Sequence, residues 1–172
     1  MKILFLPALL AAFCSPAWGA PPASFPATIV RASDADTCIC EKENHELVKV
    51  RLFAVDAPEV RHRLRDKDQP GGQEALAYVK EHWQGKEVTV TPKGESYGRI
   101  VAEVVDAKTE KSMGLDLVSR GHAEVDTRYS KSKLLLDAQS KVQAERKGIW
   151  FGKSAPVHPW DWRKQQKNVR RK

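Results

Sequence analysis

Between Glu46 and Phe53 the chain alternates without a break. Val48, Val50 and Leu52 fall on one face and Lys49, Arg51 and Phe53 on the other. Successive side chains of a strand point to opposite sides, so this segment is a strand whose apolar face has to be buried. That requirement excludes an all-helical protein and calls for further strands. Ala27–Arg31 and Thr37–Glu41 read as two earlier strands. Glu87–Thr91 and Ile100–Val105 read as two later ones, with Pro92–Gly98 joining them as a hairpin.

Helical patterns are fewer. Gln73–Trp83 places Leu76, Val79 and Trp83 on one side. Met113–Arg120 is a short helix that Gly121 stops, and Ser132–Lys147 carries Leu135, Ala138 and Val142 at helical spacing. Arg146 and Lys147 fall in its last turn and Gly148 at its C′ position. Ala57-Pro58 ends the central strand, and Pro70-Gly71-Gly72 marks a loop. With 172 residues there is room for one domain. The pattern suits a small β-barrel flanked by helices, in the α+β class, although periodicity alone does not single that barrel out.

The ends read differently. Met1-Lys2, the apolar run Ile3–Phe13 and the small residues around Gly19 and Ala20 form the pattern of a secretory signal peptide. It would occupy residues 1–19, with cleavage after Gly19 or Ala20. The run is shorter than the roughly 20 apolar residues a membrane-spanning helix needs. A secreted or periplasmic protein with no membrane contact in its mature form is therefore expected. The domain would span 27–152 and a Pro/Trp/basic tail 153–172. The net charge of +7 falls by one, to +6, when Lys2 leaves with the leader. Such an excess suits a polyanionic partner, and a solvated basic surface would carry it equally well. Cys14 also leaves with the leader. Cys38 and Cys40 remain on one face of one strand, as a strained local disulfide or as two packed thiols. The five histidines show no zinc spacing such as His-Glu-x-x-His.

Three segments carry chemistry. They are Asp34-Ala35-Asp36-Thr37, then Arg51-Leu52-Phe53-Ala54-Val55-Asp56-Ala57-Pro58-Glu59, then Tyr97-Gly98-Arg99. Each has an ordinary reading. Asp-x-Asp serves turns, Asp-Ala-Pro-Glu starts turns and helices, and a strand Arg pairs with a surface carboxylate. Together they supply what phosphodiester hydrolysis requires. Several carboxylate oxygens hold a hard divalent cation. A separate carboxylate takes a proton from the attacking water. Two arginines grip a phosphate and offset the charge that builds on it.

In order and spacing these segments resemble the staphylococcal nuclease (thermonuclease) family. Leu117-Val118-x-x-Gly121, Gly148-Ile149-Trp150 and Pro159-Trp160-Asp161-Trp162-Arg163 extend the resemblance over about Ala27 to Arg163. It implies a five-stranded OB-fold β-barrel with about three flanking α-helices. It also implies an enzyme that uses calcium to cleave DNA and RNA, with loss of the 5′-oxygen and 3′-phosphate ends; a monomer is expected, although the sequence does not fix the oligomeric state. By the same resemblance Asp36, Asp56 and the carbonyl of Ala57 would bind Ca2+, and Glu59 would be the general base. Arg51 and Arg99 would contact the phosphate, and Tyr129 and Tyr97 the nucleotide. The chain departs from the family at Ala35, where Gly is usual and where a positive φ would strain the turn. Ser96 stands where the best-known member has a Lys, and Thr127 replaces a second tyrosine. A rival reading is a catalytically weak OB-type module that binds single-stranded nucleic acid. Retention of Arg51, Glu59 and Arg99 together speaks against it. Trp83 and Trp150 are expected in the core, and Trp160 and Trp162 are expected to clamp the C-terminal tail onto the body.

Overall fold

A computed structural model describes residues 23–61, 67–152 and 155–170. The leader expected at 1–19, His62 and most of the Arg61–Arg65 cluster lie outside the described residues. The elements in chain order are β1 (Phe25–Asp34), β2 (Thr37–Lys42), β3 (Leu47–Leu52), β4 (Val55–Asp56), α1 (Gly72–His82), β5 (Glu87–Ser96) and β6 (Arg99–Asp106). They continue with α2 (Met113–Arg120), β7 (Glu124–Val125), α3 (Lys133–Ala144), a single 3-10 turn (Gly148–Trp150) and α4 (Pro159–Arg170).

Five strands close into a barrel in the order β1-β2-β3-β6-β5, and β5 returns to β1. All neighbours are antiparallel except β3 and β6, which run parallel. This is the α+β barrel of an OB-fold. The alternation in β3 drives it: Val48, Val50 and Leu52 are buried with Ile29, Cys38, Cys40, Val88, Val90, Ala102 and Val104. Two register shifts in β1, after Ile29 and after Ala32, insert bulges that bend the strand around the barrel. Closure removes the exposed edges an open five-stranded sheet would present.

Helix α1 packs on β1, α2 on β6, and α3 on α2. Helix α1 buries Ala75, Leu76 and Val79, and Trp83 follows it into the core, 1% exposed. The Ser112 hydroxyl caps α2 by accepting from Leu115 N–H, and Gly121 ends it at φ 72. Helix α3 stops at Ala144, three residues before the sequence pattern does, because Arg146 turns to φ 51. Gly148, at φ 56, therefore serves the following 3-10 turn and not a helix C-terminus. The segment read as a tail carries a fourth helix, α4, beyond the three expected. Trp150 is half-buried, unlike Trp83. Cys38 and Cys40 are free thiols with their sulfurs 3.6 Å apart. The hydrogen bond to Cys40, together with burial, pushes the Cys38 pKa well up.

Asp116 ties α2 to α1. Its carboxylate accepts from Tyr78 Oη (2.7 Å), Trp83 Nε1 (2.9 Å), Arg120 Nε (3.0 Å) and Lys111 Nζ (2.7 Å). Burial alone would raise its pKa, but the donors outweigh burial and hold it at about 2, below the ordinary 3.8. A carboxylate depressed on folding stabilises the fold above its unfolded pKa and loses that contribution as pH falls through its folded one. Unfolding free energy from urea titrations is therefore expected to drop between about pH 4 and pH 2, and Asp116→Asn should flatten that part of the profile.

Candidate active site

The chemistry-bearing segments meet because they lie on neighbouring strands. Arg51 on β3 is flanked in register by Thr37 on β2 and Val101 on β6. The β1–β2 connection is the tight turn Ala35-Asp36, since Asp34 pairs directly with Thr37. The Asp36 carbonyl accepts from Leu52 N–H at 2.8 Å, which fastens this turn to the end of β3. Ala35 is fully buried and is not among the residues with positive φ, so no glycine is required there and the expected strain does not arise.

Asp36 Oδ1 accepts from the Thr37 hydroxyl at 2.9 Å and from Arg51 Nη1 at 2.9 Å. Its Oδ2 accepts from Ala57 N–H at 2.9 Å, which puts the Ala57 backbone against the carboxylate. After β3 the chain reverses at Phe53-Ala54, where Ala54 takes φ 63, and returns as β4. β4 pairs with β7, Asp56 opposite Glu124. The reversal carries Asp56 back to Arg51, whose Nη2 donates to Asp56 Oδ1 at 2.5 Å. Asp36 and Asp56 are only 2% and 0% exposed. Carboxylates so buried need opposite charge close by, and one planar guanidinium serves both. Burial opposes the Arg51 charge, yet Asp36 and Asp56 outweigh it and raise its pKa.

Glu59 follows in a segment without helix or strand. Its backbone is held by Gln69, whose Oε1 accepts from Glu59 N–H (3.1 Å) and whose N–H donates to the Glu59 carbonyl (2.8 Å). Helix α1 begins against the same carbonyl. A Cβ on Gly72 would stand 2.6 Å from the Glu59 oxygen, so only glycine lets the helix approach this closely. The Glu59 carboxyl is raised above its ordinary pKa, chiefly by burial, with Arg163 acting in the opposite direction.

Arg163 had no assigned role in the sequence reading. From α4 its Nη1 and Nη2 donate to Asp56 Oδ1 (3.0 Å) and Oδ2 (2.8 Å), and Nη1 also donates to Glu59 Oε1. Its pKa is raised further, against its burial, by Asp56 and Glu59. Gln69 was missed as well. Only the closing Trp-Asp-Trp-Arg motif pointed to this corner.

Asp36, Arg51, Asp56, Ala57 and Glu59 are thus gathered at one place. Tyr129 shares a cavity of about 250 Å³ with Arg51, Phe53, Lys93, Ser96 and Asp126. Tyr97 and Gly98 form the two-residue turn between β5 and β6, at φ 50 and 69, and Tyr97 is 97% exposed. Arg99 follows it, and its Nε donates to the Ser96 carbonyl at 3.3 Å and to none of the three carboxylates.

No group of three His, Cys, Asp or Glu side chains poised around a metal occurs among the described residues. The expected donor set asks for two carboxylates and a carbonyl, and these fit a hard cation. Asp36 and Asp56 converge on one guanidinium, offer only oxygen, and require a positive charge in their buried position. Asp36, Asp56 and the Ala57 carbonyl would hold it.

The family model described as "Staphylococcal nuclease homologue" matches residues 49–152, more than half of the chain. The chain belongs to the staphylococcal nuclease family. It is 33% identical to a protein of Haemophilus influenzae named "Uncharacterized endonuclease", over 81% of this chain and 73% of that one. It is 29% identical to a protein of Shigella flexneri named "Micrococcal nuclease", over 90% of this chain and 87% of that one. It spans only 34% of a longer relative from Oryza sativa subsp. japonica, 30% identical over 70% of this chain and named as a probable staphylococcal-like nuclease.

The buried arrangement makes Arg51 a scaffold residue of this family member as well as a site residue. Arg51→Ala leaves buried Asp36 without its charged partner and Asp56 with Arg163 alone. It should lower the unfolding free energy by about 3–5 kcal/mol in urea titration.

Proposed function

We propose that the protein is a calcium-dependent phosphodiesterase, an endonuclease that hydrolyses DNA and RNA and leaves 3′-phosphate ends. The observation that carries this reading is the convergence of Asp36 and Asp56 on Arg51, with Glu59 joined to the same carboxylate cluster. Membership of the nuclease family and the nuclease names of two relatives support it. When bound, calcium supplies positive charge that polarises the phosphate and favours the approach of a nucleophile.

The protein's own residues do the rest. Arg51, placed by Thr37 and Val101 at the edge of the cavity, faces a phosphate bound there and offsets charge building on its oxygens. Arg99 at the hairpin tip supplies a second guanidinium. Glu59 takes the proton from the attacking water, and a carboxyl raised by burial is a better base than an exposed one. Water adds to phosphorus in line and the bond to the 5′-oxygen breaks; that oxygen takes a proton from solvent, to which Glu59 returns the one it removed. Tyr129, on the wall of the cavity, and Tyr97 contact the nucleotide. The rival module, binding single-stranded nucleic acid with little catalysis, has no use for Glu59 retained together with Arg51 and Arg99.

Incubation with single-stranded DNA, double-stranded DNA and RNA, with calcium and then with a chelator, tests the reading. Cleavage that stops on chelation is expected; no calcium-dependent cleavage of any substrate would remove it. Glu59→Gln should lower turnover by about 10²–10⁴-fold and change nucleic-acid affinity far less. Parental turnover in that variant would show that another group is the base.

Export follows from the leader pattern. Expressed in a bacterial host, the protein should appear in the periplasm or the medium with a mature N-terminus at Ala20 or Pro21. An intact Met1 in the cytoplasm would contradict export.

A further inference from the structure

Glu59 lies on an irregular segment, and two links fix it. Gln69 holds its backbone, and Arg163 holds its carboxylate. Both lead to the same stretch of chain. Gln69 Nε2 donates to the Val157 carbonyl at 2.6 Å, and Arg163 lies on the helix that begins two residues later. That stretch is itself clamped to the body. The Arg128 guanidinium lies over the Trp160 ring at 4.8 Å and is held by both oxygens of Asp126 at 2.8 and 2.6 Å. His158 stacks on Trp160 and bonds Glu124 at 2.7 Å. Trp160 and Arg163, three apart, share a face of α4, so the clamp on one sets the reach of the other.

The guanidinium is suited to this task. Its planar fork meets both oxygens of Asp56 and leaves Nη1 shared with Glu59. Glu59 is thereby fixed relative to Asp56 by a rigid group. A carboxylate on a free side chain would lose most of its orientations before it could act.

We propose that Arg163 is a positioning residue for the hydrolysis, fixing the Glu59 carboxylate against Asp56, and that segment Val157–Arg163 is part of the active site. This rests on the nuclease reading with Glu59 as base. The role passes through Glu59, and Arg163 touches neither water nor phosphate in it.

The test uses the full-length protein with calcium and a long DNA substrate. Arg163→Ala should lower kcat by about 10²-fold and leave KM within about threefold. Guanidinium ion added at millimolar concentration should restore part of that kcat in a saturable way, and should not raise the parental rate. Arg163→Lys, which keeps the charge and loses the fork, should retain roughly a tenth of kcat or less. Calcium affinity measured by calorimetry without substrate should stay the same or tighten in Arg163→Ala, because oxygens of Asp56 are released. Parental kcat in Arg163→Ala would overturn the proposal. So would a loss without guanidinium rescue, or a calcium affinity weakened by more than about tenfold, since either makes Arg163 scaffold alone. A parental protein that cleaves nothing removes the nuclease reading, and this role with it.

Discussion

Two carboxylates that water does not reach set the terms for this end of the barrel. Asp36 and Asp56 are almost wholly buried, and an isolated charge in such a place costs several kcal/mol after relaxation. Arg51 answers both, one nitrogen to each. The answer works only in one register. With Val50 and Leu52 facing the barrel interior, Arg51 faces outward beside Thr37 and the Asp36 turn. A slip of one residue would bury the guanidinium in the barrel and turn the valines to solvent. The hydrophobic alternation and the ion pairs therefore specify the same pairing, which fixes the site as firmly as the core fixes the fold.

The same electrostatics explain why α4 docks where it does. Asp36, Asp56 and Glu59 bring three negative charges, and Arg51 and Arg163 bring two positive ones. The cluster is left one charge negative on a chain whose net charge is +7. A polyanion is drawn to the molecule and repelled from this spot. A divalent cation bound there would reverse the local sign.

Strand alternation made most of the barrel legible in the sequence. β5 and β6 run on to Ser96 and from Arg99 because the hairpin closes in two residues at Tyr97-Gly98, and the segment read as a long connection is paired strand. β4 and β7, two residues each, are too short for any periodicity. Helix α4 was hidden for a different reason. Its docking rests on an arginine fork, a cation over a ring and a histidine–glutamate bond, none of which leaves an apolar stripe. The five residues from Asp36 to Glu59 were legible because they crowd into two short motifs. Arg163, 107 positions from Asp56, was quoted as part of a motif with no chemistry attached. Ala35 taught the converse. The resemblance made Gly usual at this turn, and the backbone here does not enter the left-handed region that would strain Ala.

Two of the three departures from the family pattern, Ser96 and Thr127, fall where the fold is least committed, while Ala35 is fully buried. The candidate-site positions are anchored by register and by their ion pairs, so Asp36, Arg51 and Asp56 cannot change without cost to the barrel. Ser96 and Thr127 sit by turns, whose geometry tolerates many side chains. Tyr97 is the exception that makes the point. It holds φ 50 in its turn, a conformation that costs a non-glycine residue about 1–2 kcal/mol and that Asn or Gly would adopt more easily. Its ring is almost wholly exposed, so packing does not repay that cost. The two-residue hairpin imposes that φ, since both of its central residues, Tyr97 and Gly98, lie in the left-handed region.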